Sequence, residues 1–111
     1  MLLPFAERAI ADDSKFTDYC LNTEHPVGKH KARVFQSALG INLTNWEILK
    51  DTILDAVLLN PAVYQGKNSY GELYSVIFQM NYTNKDAIIC STWIIHEDEN
   101  FPRLTSCYVI S

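Results

Sequence analysis

Between His25 and Arg33 the chain reads His-Pro-Val-Gly-Lys-His-Lys-Ala-Arg, placing Lys29, Lys31, Arg33 and two histidines within nine residues. Lysine and arginine hold phosphate groups and stabilise negative charge as it develops in a transition state. Histidine titrates near neutral pH and can act as a general acid or base. A compact set of these types points to chemistry on an anion, with His30 as the proton carrier and Lys29, Lys31 and Arg33 as the cationic hold.

The placement is more informative than the count. From His25 to Trp46 there is no Asp or Glu, so this segment carries +3 within a chain of net charge -4, and the remainder carries -7. Helical spacing begins near Gly28, which puts the cations in the first turn or two of a helix. That end carries the positive pole of the backbone dipole, where each cation costs from a few tenths to about 1 kcal/mol. An anion at the same place is favoured by the free N–H groups, and Gly28 would let it approach the backbone closely. The alternative is that the cluster pairs with acids elsewhere, such as Asp12, Asp13, Glu24 or the "HEDEN" turn, and surface pairs of that kind contribute little. Lys31 lies one turn before Val34, Phe35 and Ala38, so its stem borders the buried face and its ammonium belongs where helix meets sheet.

The last apolar segment, "PRLTSCYVI", adds further polar groups. Alternation puts Arg103, Thr105 and Cys107 on one strand face and Leu104, Ser106, Tyr108 and Ile110 on the other. In "CSTWII", Thr92 falls on a face with Cys90 and Ile94, and two threonines beside an arginine could line a pocket. Threonine is also simply a good strand former. Trp93 and Tyr74 are expected in the core, and Tyr70 is free to face a ligand. His25, His30 and His96 lack metal-ligand spacing, so neither a metal nor a cofactor is expected. No phosphate-binding loop, dinucleotide glycine motif or nucleophile-elbow motif is present.

The elements that must position these residues divide near residue 65. The first half is helical. A short helix capped by Asp12, Asp13 or Ser14 ends near Cys20. A second runs from about Gly28 to Leu39, with Val34, Phe35, Ala38 and Leu39 on its apolar face and Gly40 as its stop. A third, capped by Thr44 or Asn45, buries Trp46, Leu49, Ile53, Ala56, Val57 and Leu59 or Asn60, and Pro61 ends it. The stretch "PAVYQGKNSYG" reads as a loop, with a short extra strand admitted at either end of residues 61–69. Three strands follow: "ELYSVIFQMNY", "AIICSTWIIHE", apolar on both faces and so central, and "RLTSCYVI", joined by turns at "TNKD" and "DENFP". The expected fold is α+β: two or three N-terminal helices, then a three- to four-stranded antiparallel meander, with the helices on one face of the sheet.

The 111 residues are one domain's worth of chain, spanning 1–111, with 48% hydrophobic and 20% charged residues. The net negative charge argues against a broad nucleic-acid surface. No apolar run is long enough to cross a bilayer, and "MLLPFAERAI" has no basic leader, so a cytoplasmic protein without membrane attachment is expected. Cys20, Cys90 and Cys107 are too few and too irregular for a disulfide framework or a zinc site and read as buried free thiols.

The stretches "LNTEHPVGKHKARVFQSALGI", "YGELYSVIF", "STWII" and "PRLTSCYV" resemble an uncharacterised bacterial domain family, DUF 6883, over about Pro4 to Ile110. Members occur as small stand-alone proteins, often in cyanobacteria, and as the C-terminal tips of secreted toxins. The order of helices then meander is similar to that of the barnase–EndoU–colicin–RelE group of metal-independent RNases. That likeness implies a toxin-like RNase domain with its active site on the sheet, roofed by the basic helix. On that reading His30, Lys31, Arg33, Arg103 and Thr105 are catalytic, and Gly28, Lys29, Thr92 and Tyr108 bind an RNA phosphodiester. The chain departs from the strongly basic character of such toxins. A second expectation is a non-catalytic module: an immunity- or antitoxin-type partner of a small protein encoded nearby, or a binder of a phosphorylated ligand.

Overall fold

The computed structural model describes residues 1–111. After a 3₁₀ turn at Ala6–Arg8, helix α1 (Asp13–Lys15) runs directly into a π-helical turn, Phe16–Cys20. Helices α2 (Lys29–Leu39) and α3 (Trp46–Leu59) follow, then strands β1 (Ala62–Lys67), β2 (Gly71–Tyr82), β3 (Lys85–His96) and β4 (Arg103–Val109). The strands form one sheet in the order β1-β2-β3-β4, every pair antiparallel. Helices precede an antiparallel meander, and α2 packs against β3 and β4, as the sequence predicts for an α+β fold.

Local chemistry sets the helix ends. The His25 imidazole accepts hydrogen bonds at Nδ1 from the Val27 and Gly28 amides, at 3.0 and 2.9 Å, and so closes the turn that launches α2. Gly40 stops the helix with φ of 70°, its N–H donating to the Gln36 carbonyl at 3.0 Å. The buried face is narrower than predicted: Ala32, Phe35 and Leu39 are buried, whereas Val34 is 44% exposed. Asn45 begins α3 and ties it to α2, accepting from the Asn42 amide at 2.8 Å and donating to the Gly40 carbonyl at 3.1 Å. Leu49, Ile53, Ala56 and Val57 are buried, but Leu59 is 80% exposed, and half-buried Asn60 turns the chain toward β1.

Residues 62–67, read largely as a loop, form edge strand β1. Only Ala62 of this strand is buried, so the alternation that marks a strand is missing. Tyr64 pairs with Tyr74 and Gly66 with Leu73, so Gln65 is the extra residue of a bulge beside Gly66, whose φ is 103°. The turn between β2 and β3 is tighter than expected: only Thr83 and Asn84 lie outside the strands, both with positive φ, the geometry that suits the twist of a hairpin.

The core lies between the helices and one sheet face. Phe16, Leu21, Phe35, Leu39, Ile41, Leu49, Ile53 and Val57 meet Val76, Phe78, Met80, Ile89, Trp93 and Leu104. β3 is internal and also buries Cys90 and Ile94. A bulge in β4 overturns the predicted face assignment. Thr92 pairs with Ser106 and Trp93 with Leu104, leaving Thr105 as the extra residue. Leu104 and Cys107 are therefore both buried in the core cluster, where strict alternation had put them on opposite faces.

One buried polar pair holds the core face of β3. Ser91 Oγ donates to the Val76 carbonyl and accepts from Trp93 Nε1, each at 2.9 Å, and both side chains are enclosed. Ser91→Ala removes the acceptor and leaves the indole N–H unsatisfied, a loss of about 1–3 kcal/mol. Urea unfolding should read that loss, and a change within about 0.5 kcal/mol, the range of a neutral surface substitution, would contradict it.

Candidate functional site

The site is built where the N-terminal segment, α2 and β4 meet. The π-helical turn, closed by a hydrogen bond of 3.0 Å from the Leu21 amide to the Phe16 carbonyl, turns Phe16 and Cys20 into the core. It leaves Tyr19 half-buried against α2. Such single π turns recur at functional sites. Tyr19 packs edge-on against His25, with ring centroids 5.0 Å apart. Gly28 permits that approach, because a Cβ there would lie 2.2 Å from the Tyr19 carbonyl oxygen. The space predicted for a ligand at Gly28 is filled by the protein's own backbone.

Lys31 is the centre. Its ammonium donates to Tyr19 Oη and to Ser106 Oγ, both at 2.8 Å. It also lies 4.7 Å from the Tyr19 ring centroid and 5.4 Å from that of Tyr108. An ammonium has three donors, so one remains for a further acceptor. No carboxylate lies within salt-bridge distance of Lys29, Lys31 or Arg33; the ion pairs are Lys50–Asp13, Lys67–Glu97 and Arg103–Glu99. The predicted alternative, pairing of the basic cluster with surface acids, is not what the side chains do.

Beside Lys31 opens a pocket of about 250 Å³, lined by His30, Lys31, Val34, Tyr108 and Val109. It gathers three of the residues singled out in the sequence: His30, Lys31 and Tyr108. The others sit elsewhere. Lys29 is half-buried and Arg33 exposed, and neither lines this pocket. Arg103 grips the Glu99 carboxylate through two hydrogen bonds of 2.9 Å and lies over the Phe101 ring. That grip holds the Glu99 carboxyl below its ordinary range. Thr105 shares a hydrogen bond of 2.6 Å with Thr92, and Thr92 also donates to the Ser106 carbonyl. Both threonines therefore help to seat the bulge.

Tyr19, Ser106 and Cys20 belong to the site and were not identified from sequence. Tyr19 and Cys20 lie in an ordinary polar-apolar run, and alternation placed Ser106 away from Thr105. The only sequence signal was Gly28, whose missing side chain marks a close approach. Cys20 Sγ, fully enclosed, accepts from the Cys107 amide at 3.4 Å and meets Ser106 Oγ at 3.9 Å. The Cys107 thiol pulls the Cys20 thiol down most strongly, from 9.0 to about 7. Burial opposes that shift, and the Cys107 amide, Ser106 and the Lys31 charge assist it. Cys107 is pushed well up, first by Cys20 and then by burial. The Tyr108 phenol is raised chiefly by its contact with Cys90.

The family described as "Domain of unknown function (DUF6883)" matches residues 2–111, and the chain belongs to it. A search of curated proteins found no match. The family's description names no activity and lends no support to the likeness to RNase toxins. No helix is long and apolar enough to cross a membrane.

The lowered Cys20 value fixes a pH window. A thiol whose folded value lies below its unfolded value stabilises the fold fully above the unfolded value, and that gain is lost as pH falls through the folded one. For Cys20 the gain should grow from about pH 7 to pH 9.0. Cys107 acts in the opposite sense, but only above its ordinary 9.0. Unfolding free energy should therefore rise between pH 7 and pH 9 relative to Cys20→Ser; parallel profiles for the two proteins would contradict the assignment.

Proposed function

We propose that this DUF6883 domain binds a phosphate-bearing ligand in the pocket beside Lys31. The observation that carries this reading is an ammonium fixed by two hydroxyls, without a carboxylate partner, at the wall of an open pocket. Its third N–H is free to meet a phosphate oxygen, and a cation held in position loses little side-chain freedom on binding. The hydroxyl of Tyr19 accepts from Lys31, so its own proton is left to donate. Val34, Val109 and the Tyr108 ring supply an apolar wall that suits the base of a nucleotide.

A second reading rests on His30. It lines the same pocket as Lys31, so an RNA phosphodiester held there would have a proton carrier beside it. The wider cationic hold expected for an RNase does not support this step, since Arg103 is paired with Glu99 and Arg33 lies outside the pocket.

Titration with a ribonucleoside monophosphate, followed by calorimetry, separates these readings from an unoccupied surface. The intact chain should bind, and Lys31→Met, which keeps the stem and removes the charge, should weaken binding at least about tenfold, or roughly 1.4 kcal/mol. Equal affinity in the two proteins, or no binding, would overturn the phosphate reading. RNA incubated with the chain in a chelator should be cut only if the second reading holds, and His30→Ala should then remove the cutting.

A further inference from the structure

The phosphate reading leaves unused a pair of sulfurs beside the pocket. Cys20 lies on the π-helical turn and Cys107 on β4, 87 positions later in the chain, yet the Cys107 amide donates to Cys20 Sγ at 3.4 Å. Both residues are fully enclosed. Three groups act on the Cys20 sulfur through hydrogen bonds: the Cys107 thiol first, then the Cys107 amide and the Ser106 hydroxyl. The hydroxyl itself accepts from Lys31 at 2.8 Å, which leaves its proton available to the sulfur. A sulfur that accepts hydrogen bonds near an ammonium is stabilised as thiolate, the form that attacks oxidants. Lys31 lines the open pocket, so Cys20 lies two hydrogen-bonded steps from a solvent-facing hollow.

We propose that Cys20 and Cys107 are a redox-active dithiol, closed to an intramolecular disulfide by a hydroperoxide, with Cys20 the attacking sulfur and Cys107 the resolving one. Cys20 is enclosed, so the peroxide reaches it through a local opening of the Lys31–Ser106 contact, and the Cys20 thiolate then attacks the distal peroxide oxygen. The O–O bond breaks, the alkoxide or hydroxide released takes a proton from water, and Cys20 becomes a sulfenic acid. The Cys107 sulfur then attacks Cys20 Sγ. The S–O bond breaks, and the hydroxyl leaves as water with the Cys107 proton. The two electrons lost by the sulfurs reduce the peroxide. The same location explains which cysteine is left out. Cys90 pairs in register with Tyr108 on the sheet and stands outside the core cluster that contains Cys20 and Cys107. The inference does not depend on what the Lys31 pocket binds.

The test exposes the folded chain to hydrogen peroxide, blocks remaining thiols under denaturing conditions, and reads the products by peptide mass spectrometry. The expected result is a Cys20–Cys107 crosslink with Cys90 still blocked as a free thiol, reversed by a dithiol reductant. In Cys107→Ser the reaction should stop at a sulfenic acid on Cys20, trapped by a 1,3-dione probe; Cys90→Ser should behave as the unaltered chain does. Far-ultraviolet circular dichroism before oxidation confirms that each variant is folded. Three free thiols in the unaltered chain after treatment, or a crosslink through Cys90, would overturn the proposal without reference to any variant.

Discussion

The structure turns on where one ammonium is held. Lys31 reaches from α2 to Tyr19 of the N-terminal segment and to Ser106 of β4, and so joins three parts of the chain at one atom. A cation taken partly out of water needs compensation. Here two hydroxyl acceptors and two aromatic rings supply it, with hydrogen bonds to a charged group worth about 1.5–3 kcal/mol each. None of these partners carries a formal negative charge, so the electrostatic demand of Lys31 is met without being neutralised. That residual demand links the fold to ligand chemistry, and the same demand leans on the Cys20 sulfur through Ser106.

The β4 bulge makes this arrangement possible. One extra residue at Thr105 resets the alternation between Leu104 and Cys107. Leu104 and Cys107 can then both enter the core, while Ser106 and Tyr108 remain half-buried toward α2. The Thr92–Thr105 hydrogen bond seats the irregularity. Farther along, the backbone of Ile10 caps the same strand: its carbonyl accepts from the Leu104 amide at 2.9 Å, and its amide donates to the Pro102 carbonyl at 2.9 Å. One half of β4 is thus covered by the N-terminal segment and the other by α2 and its pocket. An unregulated edge would invite pairing with another chain; here the edge is used to build the site.

Much of the fold could be read from the sequence because it depends on local rules. Gly40 ends α2 at a left-handed position, the apolar spacing of Leu49, Ile53 and Val57 defines α3, and β3 is apolar on both faces because it is internal. The position of Lys31 at the helix–sheet junction also follows from spacing, since it stands one turn before buried Phe35. What could not be read depends on contacts distant in sequence. Strand β1 owes its existence to β2 rather than to its own pattern. The bulge reverses a face assignment that alternation alone dictates. His25 acts as an acceptor for backbone amides, and Gly28 makes room for Tyr19 rather than for a ligand. Arg103, drawn into the site by strand alternation and by the likeness to RNases, is claimed by Glu99 four residues away.

The central claim is that the free charge at Lys31 makes one local anion site and that the basic cluster is not a diffuse surface. Amide chemical shifts recorded by NMR during titration with inorganic phosphate test this most directly. The account predicts saturable shifts confined to His30, Lys31 and Val34 on α2, Ser106, Tyr108 and Val109 on β4, and Tyr19. Shifts spread evenly over exposed lysines such as Lys67 and Lys85, or no shift at Lys31 and Ser106, would contradict it.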